Sequence, residues 1–417
     1  MVSASHLDLA IIGSGPAGLA AAVKARQLGI KDLVVFERDQ RPGGILPQCI
    51  HNGFGLEKFK EELTGPEYAN RYIKMAQAHD IDIQLNTMVL EIEKDRTLTA
   101  VSEGMGLKKY KCRSIILAMG CRERPRGAIG TPGTRPAGIF TAGQAQRLVN
   151  IEGYLPGENI VIQGSGDVGM IMARRLSLEG ANVRAVAEIL PHTSGLIRNE
   201  VQCLHDFDIP LLLGHTVAEI HGDKRVEGVT LVEVDADWNP IADTARHLAC
   251  DTLLLSVGLI PENELSRKAG VAIDPQTGGP YVNDMLETSV EGIFSCGNGL
   301  HVNDYVDDVS SEGEIAARGA HYRIKGKMPG GKHRIALKGD STIGQVVPQT
   351  ISGLRPVRLY IRVKRPMPKM TLRIGDIFEK RFPYARPSEM IRIRLPGKIF
   401  SDMKPGVRRL DVTCQER

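Results

Sequence analysis

Two Gly-x-Gly-x-x-Gly turns, about 150 residues apart, restrict what this chain can fold into more than any other feature. The first lies in Asp8-Leu-Ala-Ile-Ile-Gly13-Ser14-Gly15-Pro16-Ala17-Gly18, the second in Asn159-Ile-Val-Ile-Gln-Gly164-Ser-Gly166-Asp167-Val168-Gly169. Each follows an apolar run of strand character and opens a helix-forming segment. There the first glycine allows a tight turn and the second lets backbone approach a pyrophosphate. The third lets helix and strand pack closely, and the phosphate rests on the helix N-terminus. The next predicted strands, Leu33–Phe36 and Val183–Ala187, end at Glu37 (followed by Arg38) and Glu188. Both acids lie about 19 residues past the last glycine, where a carboxylate meets adenosine ribose hydroxyls. One copy is weak evidence; two in this context predict two Rossmann-like dinucleotide-binding domains.

The 417 residues suit two or three domains. A 42% hydrophobic and 24% charged composition is that of an ordinary globular protein. No apolar run approaches the roughly 18–20 residues of a membrane span, and no secretory signal is expected. The seven cysteines contain no C-x-x-C pair, so neither a zinc site nor a local dithiol is written into the chain. The unpatterned set points to a reducing, cytoplasmic compartment.

Three further segments carry a family resemblance. Gly43-Gly44, then Ser114-Ile-Ile-Leu-Ala118-Met119-Gly120, then Gly292-Ile-Phe-Ser-Cys-Gly297-Asn298 resemble the FAD site of pyridine nucleotide-disulfide oxidoreductases. The resemblance implies FAD on the first fingerprint and NAD(P)H on the second, with the segment closing at Gly258 leading back to the FAD domain. This chain departs from the family at Asn298, where an acid is usual, and at Met119, where threonine is. Ser310-Ser-Glu-Gly-Glu looks like the helix whose N-terminus faces the flavin pyrimidine, where its dipole would favour the anionic reduced ring. The implied domains are FAD-binding over 1–120 and 260–325, and NAD(P)H-binding over 121–259. Glu188 favours NADH over NADPH, because a carboxylate repels a 2′-phosphate. Two like charges at 4 Å cost about 4 kcal/mol at an effective dielectric of 20.

The electron acceptor is less legible. The cysteine pairs of disulfide reductases are missing, and thiol exchange needs a resolving thiol beside the attacking one. Cys49 lies where the superfamily places flavin-adjacent thiols, and His51 would lower its pKa if close. It reads either as a redox-active cysteine or as an inert buried one. The stretch Gly43-Gly-Ile-Leu-Pro-Gln-Cys49-Ile-His51-Asn-Gly-Phe-Gly55, with Thr64-Gly-Pro-Glu-Tyr68, resembles NAD(FAD)-dependent dehydrogenases that accompany a glycerol-3-phosphate dehydrogenase-like flavoprotein and a small cysteine-rich or iron-sulfur protein. That resemblance implies an FAD-dependent NAD(H) oxidoreductase within a multi-component, hetero- or homo-oligomeric dehydrogenase. Two alternatives stand beside it. One is a freestanding NADH oxidase or peroxidase using Cys49. The other is an FAD-binding docking subunit with a vestigial NAD site.

From His321 onward the chain carries 23 Lys and Arg against 7 Asp and Glu, which leaves the preceding part net acidic. After Gly330-Gly331, Val357-Arg-Leu-Tyr-Ile-Arg-Val-Lys, Met370-Thr-Leu-Arg-Ile and Ile391-Arg-Ile-Arg-Leu alternate apolar with polar or basic residues. The pattern predicts a small antiparallel β domain over 340–417 with a positive outer face. That face reads as solvated, as a dock for an acidic partner, or as a nucleic-acid or membrane surface. No interleaved aromatic platform is present, so nucleic acid is not expected.

Overall fold

The computed structural model describes residues 4–329, 334–401, 403 and 406–416; the Gly330-Gly331 break lies outside them. The chain divides into two compact units, Met1–Cys121 with Pro261–Arg417, and Arg122–Ile260.

The first unit opens with β1 (Ser5–Ile12), α1 (Pro16–Gln27) and β2 (Leu33–Phe36). All four residues of β2 are buried, the continuous apolar run of a strand covered on both faces. Helix α1 is alanine-rich with proline at its first position, where the missing N–H costs nothing. Helix α2 (Gly65–Ala78) starts from a capping box in which Thr64 and Glu67 satisfy each other's backbone N–H. The strands β3 (Asp82–Gln84), β4 (Met88–Ile92), β5 (Thr97–Ser102) and β6 (Gly106–Leu117) complete a sheet of order β3-β2-β1-β6-β5-β4. Its β3-β2-β1-β6 half is parallel, and β5 and β4 are antiparallel additions.

The second unit is a five-stranded parallel sheet and a three-stranded antiparallel one. The parallel sheet comprises β7 (Ile139–Thr141), β8 (Asn159–Gln163), β9 (Asn182–Glu188), β10 (Leu211–Leu213) and, after the antiparallel strands, β14 (Thr252–Leu255), in the order β7-β14-β8-β9-β10. Between β8 and β9 runs α3 (Asp167–Leu178). The antiparallel sheet is β11 (His215–His221), β12 (Gly228–Glu233) and β13 (Arg246–Ala249).

Returning to the first unit, β15 (Ile293–Ser295) pairs in parallel with β6. Helix α4 (Val306–Ile324) then packs on α1: a Cβ at Gly313 would stand 2.1 Å from Ala17 O, so only glycine permits the contact. The sequence reading placed this helix start near Ser310. It begins at Val306, and its first turn carries Asp307 and Asp308, acids that complement the dipole themselves.

The remaining strands form two sheets around their own apolar core. They are β16 (Ile335–Gly339), β17 (Ile343–Val347), β18 (Thr350–Ile351), β19 (Val357–Val363), β20 (Met367–Ile374), β21 (Phe378–Ala385), β22 (Ile391–Leu395) and β23 (Arg409–Glu416). Their orders are β18-β16-β23-β20-β21 and β17-β19-β22; β16 and β23 pair in parallel, and the other pairs are antiparallel. The alternating arginines of β19 and β22 do not form one solvated face. Arg358 and Arg392 pair with Asp308 at 3.2 Å each, and Arg362 pairs with Asp304. Period-two alternation locates the outer face of a strand but says nothing of what lies against it. No helix among the described residues is long and apolar enough to cross a membrane.

Candidate dinucleotide sites

At the end of β1, Gly13 adopts φ +98, and a Cβ there would meet Ala118 O at 2.4 Å. A Cβ at Gly18 would overlap Gly13 O at 1.9 Å. These two glycines are dictated by backbone packed on backbone. Gly15 is different: a Cβ there would touch only Gly44 Cα, at 3.9 Å. Gly44 in turn, at φ +59, has its own Cβ position 2.9 Å from Gly15 Cα. A groove bare of side chains thus lies over the start of α1. That helix end has no side-chain cap and no acid in its first turn, so its N–H groups and positive dipole end are left for an anion.

Pro16 and Ala17 form the first turn of α1, and Gly297, at φ +68, packs its backbone on Ala17. Gly120, at φ +71, faces open space near Gly299. Asn298 Oδ1 accepts Asn303 N–H at 3.0 Å, and its Nδ2 lies 3.6 Å from Cys121 Sγ. Arg38 is exposed.

Glu37 directly follows β2 (Leu33–Phe36). Its carboxylate is buried and turned toward the glycine loop: Oε2 accepts Ser14 N–H at 2.8 Å and Ser14 Oγ at 2.6 Å, while Oε1 accepts Asp39 N–H at 2.9 Å. The acid shapes the turn and keeps one acceptor position on Oε1 for a hydroxyl.

The second site repeats the glycine turn and the buried acid, but its helix α3 carries Asp167 in the first turn. Gly164, at φ +92, has its Cβ position 2.3 Å from Ser256 O, and that of Gly169 lies 2.5 Å from Ser256 Cβ. Ser256 Oγ accepts Gly169 N–H at 3.1 Å and stands 2.8 Å from the Cβ position of Gly166. Glu188 Oε2 accepts Ser165 N–H at 2.9 Å, Ser165 Oγ at 2.5 Å and Ser194 Oγ at 2.6 Å; Oε1 accepts Leu190 N–H at 3.0 Å. Asp167 Oδ1 is turned to Leu196 N–H at 2.8 Å and Asn199 Nδ2 at 2.7 Å, while Val168 is half-buried and Gly258 takes φ +103 in open space.

Sequence reasoning named Ser14 among the cofactor residues but missed Ser165, Ser194 and Ser256. Ser165 and Ser194 carried a signal. In both halves the serine sits 23 residues before its acid, and six residues past each acid comes a small pair, Gly43-Gly44 or Ser194-Gly195. Laying one fingerprint on the other would have exposed them. Ser256 carries no such mark.

Cys49 is half-buried, and desolvation pushes its thiol up to about 12. A nucleophilic thiolate is therefore scarce at neutral pH. His51 Nδ1 faces Asn52 O at 3.0 Å. Cys49→Ser should leave NADH-driven flavin reduction within about twofold of wild type in stopped-flow absorbance; a loss of turnover would restore the thiol to the chemistry. No cluster of three His, Cys, Asp or Glu suited to a metal ion occurs among the described residues.

The side-chain-free groove, the uncapped helix end and the buried acid fit the diphosphate and ribose of a dinucleotide. Comparison with known proteins agrees. The family model for pyridine nucleotide-disulphide oxidoreductases matches residues 7–313. The hydrogen cyanide synthase subunit HcnB of Pseudomonas aeruginosa is 28% identical over 286 residues, 64% of this chain and 60% of that protein. The NAD(P)H coenzyme A polysulfide/persulfide reductase of Pyrococcus horikoshii is 27% identical over 69% of this chain and 61% of its own length. The chain thus spans about three fifths of these curated relatives. The fold is shared with T. acidophilum thioredoxin reductase, at TM-score 0.62 and 22% identity over 76% of this chain and 98% of that one. With glycine loops, acids and match in accord, the chain belongs to the pyridine nucleotide-disulphide oxidoreductase family of FAD- and NAD(P)H-dependent enzymes.

Proposed function

We propose that this chain carries FAD on the first cradle and NADH on the second, and passes electrons between the nicotinamide and a partner flavoprotein of a multi-component, cytoplasmic dehydrogenase. Gly13, Ser14, Gly15, Pro16, Ala17, Gly18, Glu37, Gly44, Ala118, Gly120, Gly297 and Asn298 would hold FAD, with Arg38 at the rim. Gly164, Gly166, Asp167, Val168, Gly169, Glu188 and Gly258 would hold the nicotinamide nucleotide. Flavin and nicotinamide supply the hydride chemistry when bound. The chain's own residues bind, orient and neutralise; none is needed as an acid or base.

The observation that carries this reading is two matched cradles in a chain without a working dithiol. No disulfide joins the cysteines. Burial pushes the thiols of Cys49, Cys112 and Cys414 to about 12 and those of Cys203 and Cys250 to about 11. The chain holds no disulfide to carry electrons onward from NADH, which favours an external acceptor. The relation to HcnB, by name a subunit, supports a place in an assembly. A glycerol-3-phosphate dehydrogenase-like flavoprotein and a small cysteine-rich or iron-sulfur subunit are the companions the sequence suggests.

Anaerobic titration tests the proposal. NADH should bleach the visible flavin band at concentrations about tenfold or more below those NADPH requires, because the Glu188 carboxylate, buried at the end of β9, would repel a 2′-phosphate. No bleaching with either nucleotide would leave only a docking role.

A further inference from the structure

Between the first cradle and the C-terminal strands lies a buried hydrogen-bonded pair that the cofactor reading does not use. Glu312 on α4 and His301 ahead of it are both 0% exposed. Glu312 Oε2 accepts Gly297 N–H at 2.7 Å, and Oε1 faces His301 Nε2 at 2.7 Å. Gln345 Nε2, on β17, stands 3.5 Å from His301 Nδ1. An amide donor there assigns the ring proton to Nε2, which donates to Glu312. The Tyr360 ring of β19 lies 5.2 Å from the imidazole, centroid to centroid.

These contacts end at the candidate FAD loop. Gly297 has no freedom to move inward: a Cβ there would stand 2.9 Å from Ala17 Cβ, in the first turn of α1. Its N–H is fixed by Glu312, and the next residue is Asn298. The same segment is held from the β-domain side as well, where Arg362 grips Asp304, Arg358 and Arg392 grip Asp308, and Arg355 lies 3.1 Å from Asp284. Buried polar groups are costly unless every one is hydrogen-bonded. A fully buried, mutually bonded pair that also holds a loop peptide suits a positioning role.

We infer that Glu312 and His301 are positioning residues for the FAD loop, and that the C-terminal β domain, through Gln345 and Tyr360, completes the flavin site from behind. The inference rests on the FAD reading of the first cradle. Asn298 brings no charge to the loop, and the Glu312 carboxylate stands one peptide away, on Gly297 N–H. Its field also acts, after burial, to raise the Cys296 thiol and the Tyr360 hydroxyl.

The test uses the full chain, titrated with FAD after flavin removal. Glu312→Gln keeps the shape and deletes the charge; Gln345→Leu cuts the contact from the β domain and leaves Glu312 in place. The FAD Kd should rise about tenfold in Glu312→Gln, the size of one charge-assisted hydrogen bond. The flavin midpoint potential should move positive, because a nearby negative charge is gone. Gln345→Leu should weaken FAD about threefold and shift the potential the same way by less. Leu372→Val, in the β-domain core, should lower Tm and leave both readouts alone. If Glu312→Gln fails to fold, Gln345→Leu decides. Folded variants with wild-type affinity and potential, or an equal shift in Leu372→Val, would overturn the inference while the FAD reading stands. A wild-type chain that takes up no FAD would overturn both.

Discussion

Gly18→Ala should yield a chain that retains little flavin, with an FAD Kd raised about 100-fold or more. The added methyl would sit 1.9 Å from Gly13 O and 3.4 Å from Ala118 Cβ. Two outcomes are physically open: α1 moves away from the end of β1, or the Gly13 turn changes shape. The first is blocked on the helix's far side, where Gly313 already packs its bare backbone on Ala17 O. The turn must therefore give, and it is the turn that aims backbone N–H groups into the groove. Gly29→Ala is the control. That position, just past α1, has φ +89, and nothing lies within 4 Å of its Cβ, so the cost is the conformational penalty of about 1 kcal/mol. Flavin absorbance per protein after gel filtration separates the two. Full flavin content in Gly18→Ala would remove the first cradle as the FAD site.

What the residues disclosed in advance, and what they withheld, follows range of interaction. The glycine turns, β2 and α1 are local, and their spacing in the chain is their geometry. The family of the fold could be read for the same reason. The carboxylates of Glu37 and Glu188 were legible as acids at strand ends, but their rotation onto Ser14 and Ser165 was not. A strand end places a side chain without choosing among its partners. The segment from Ser310 is matched to this helix by resemblance, whereas the helix starts at Val306 after Tyr305, with no side-chain cap to mark the start in the sequence. Least legible were Arg358, Arg362 and Arg392. Alternation marked them as solvent-facing, and their acidic partners lie from 50 to 335 residues earlier in the chain, beyond the reach of any periodicity.

Those arginines bear the second large effect. Arg392 bonds Glu57 Oε1 at 2.7 Å and Asp308 Oδ2 at 3.2 Å, with its guanidinium over the Tyr305 ring. Asp308 is 3% exposed at its side chain, and its other oxygen faces Arg358 at 3.2 Å and Tyr360 Oη at 3.4 Å. Burial raises the Asp308 carboxyl above the ordinary carboxylate range, with Arg392 and then Arg358 opposing the rise. Arg392→Ala should cost about 2 kcal/mol at neutral pH, below the roughly 3–5 kcal/mol of a fully orphaned buried charge because Arg358 remains. The sign of the pH dependence follows from the raised folded-state pKa. Such a group contributes stability that is present below its unfolded pKa and lost as pH rises through the folded one. Removing Arg392 raises the folded value further, so the deficit should be larger at pH 7 than at pH 5. Adding Asp308→Asn should recover much of the loss, giving a coupling of about 1 kcal/mol or more in the double-mutant cycle. Chemical denaturation of the four proteins at both pH values decides it. Purely additive effects, or a deficit that grows on acidification, would mean that Arg392 holds the β domain by packing over Tyr305 rather than by charge.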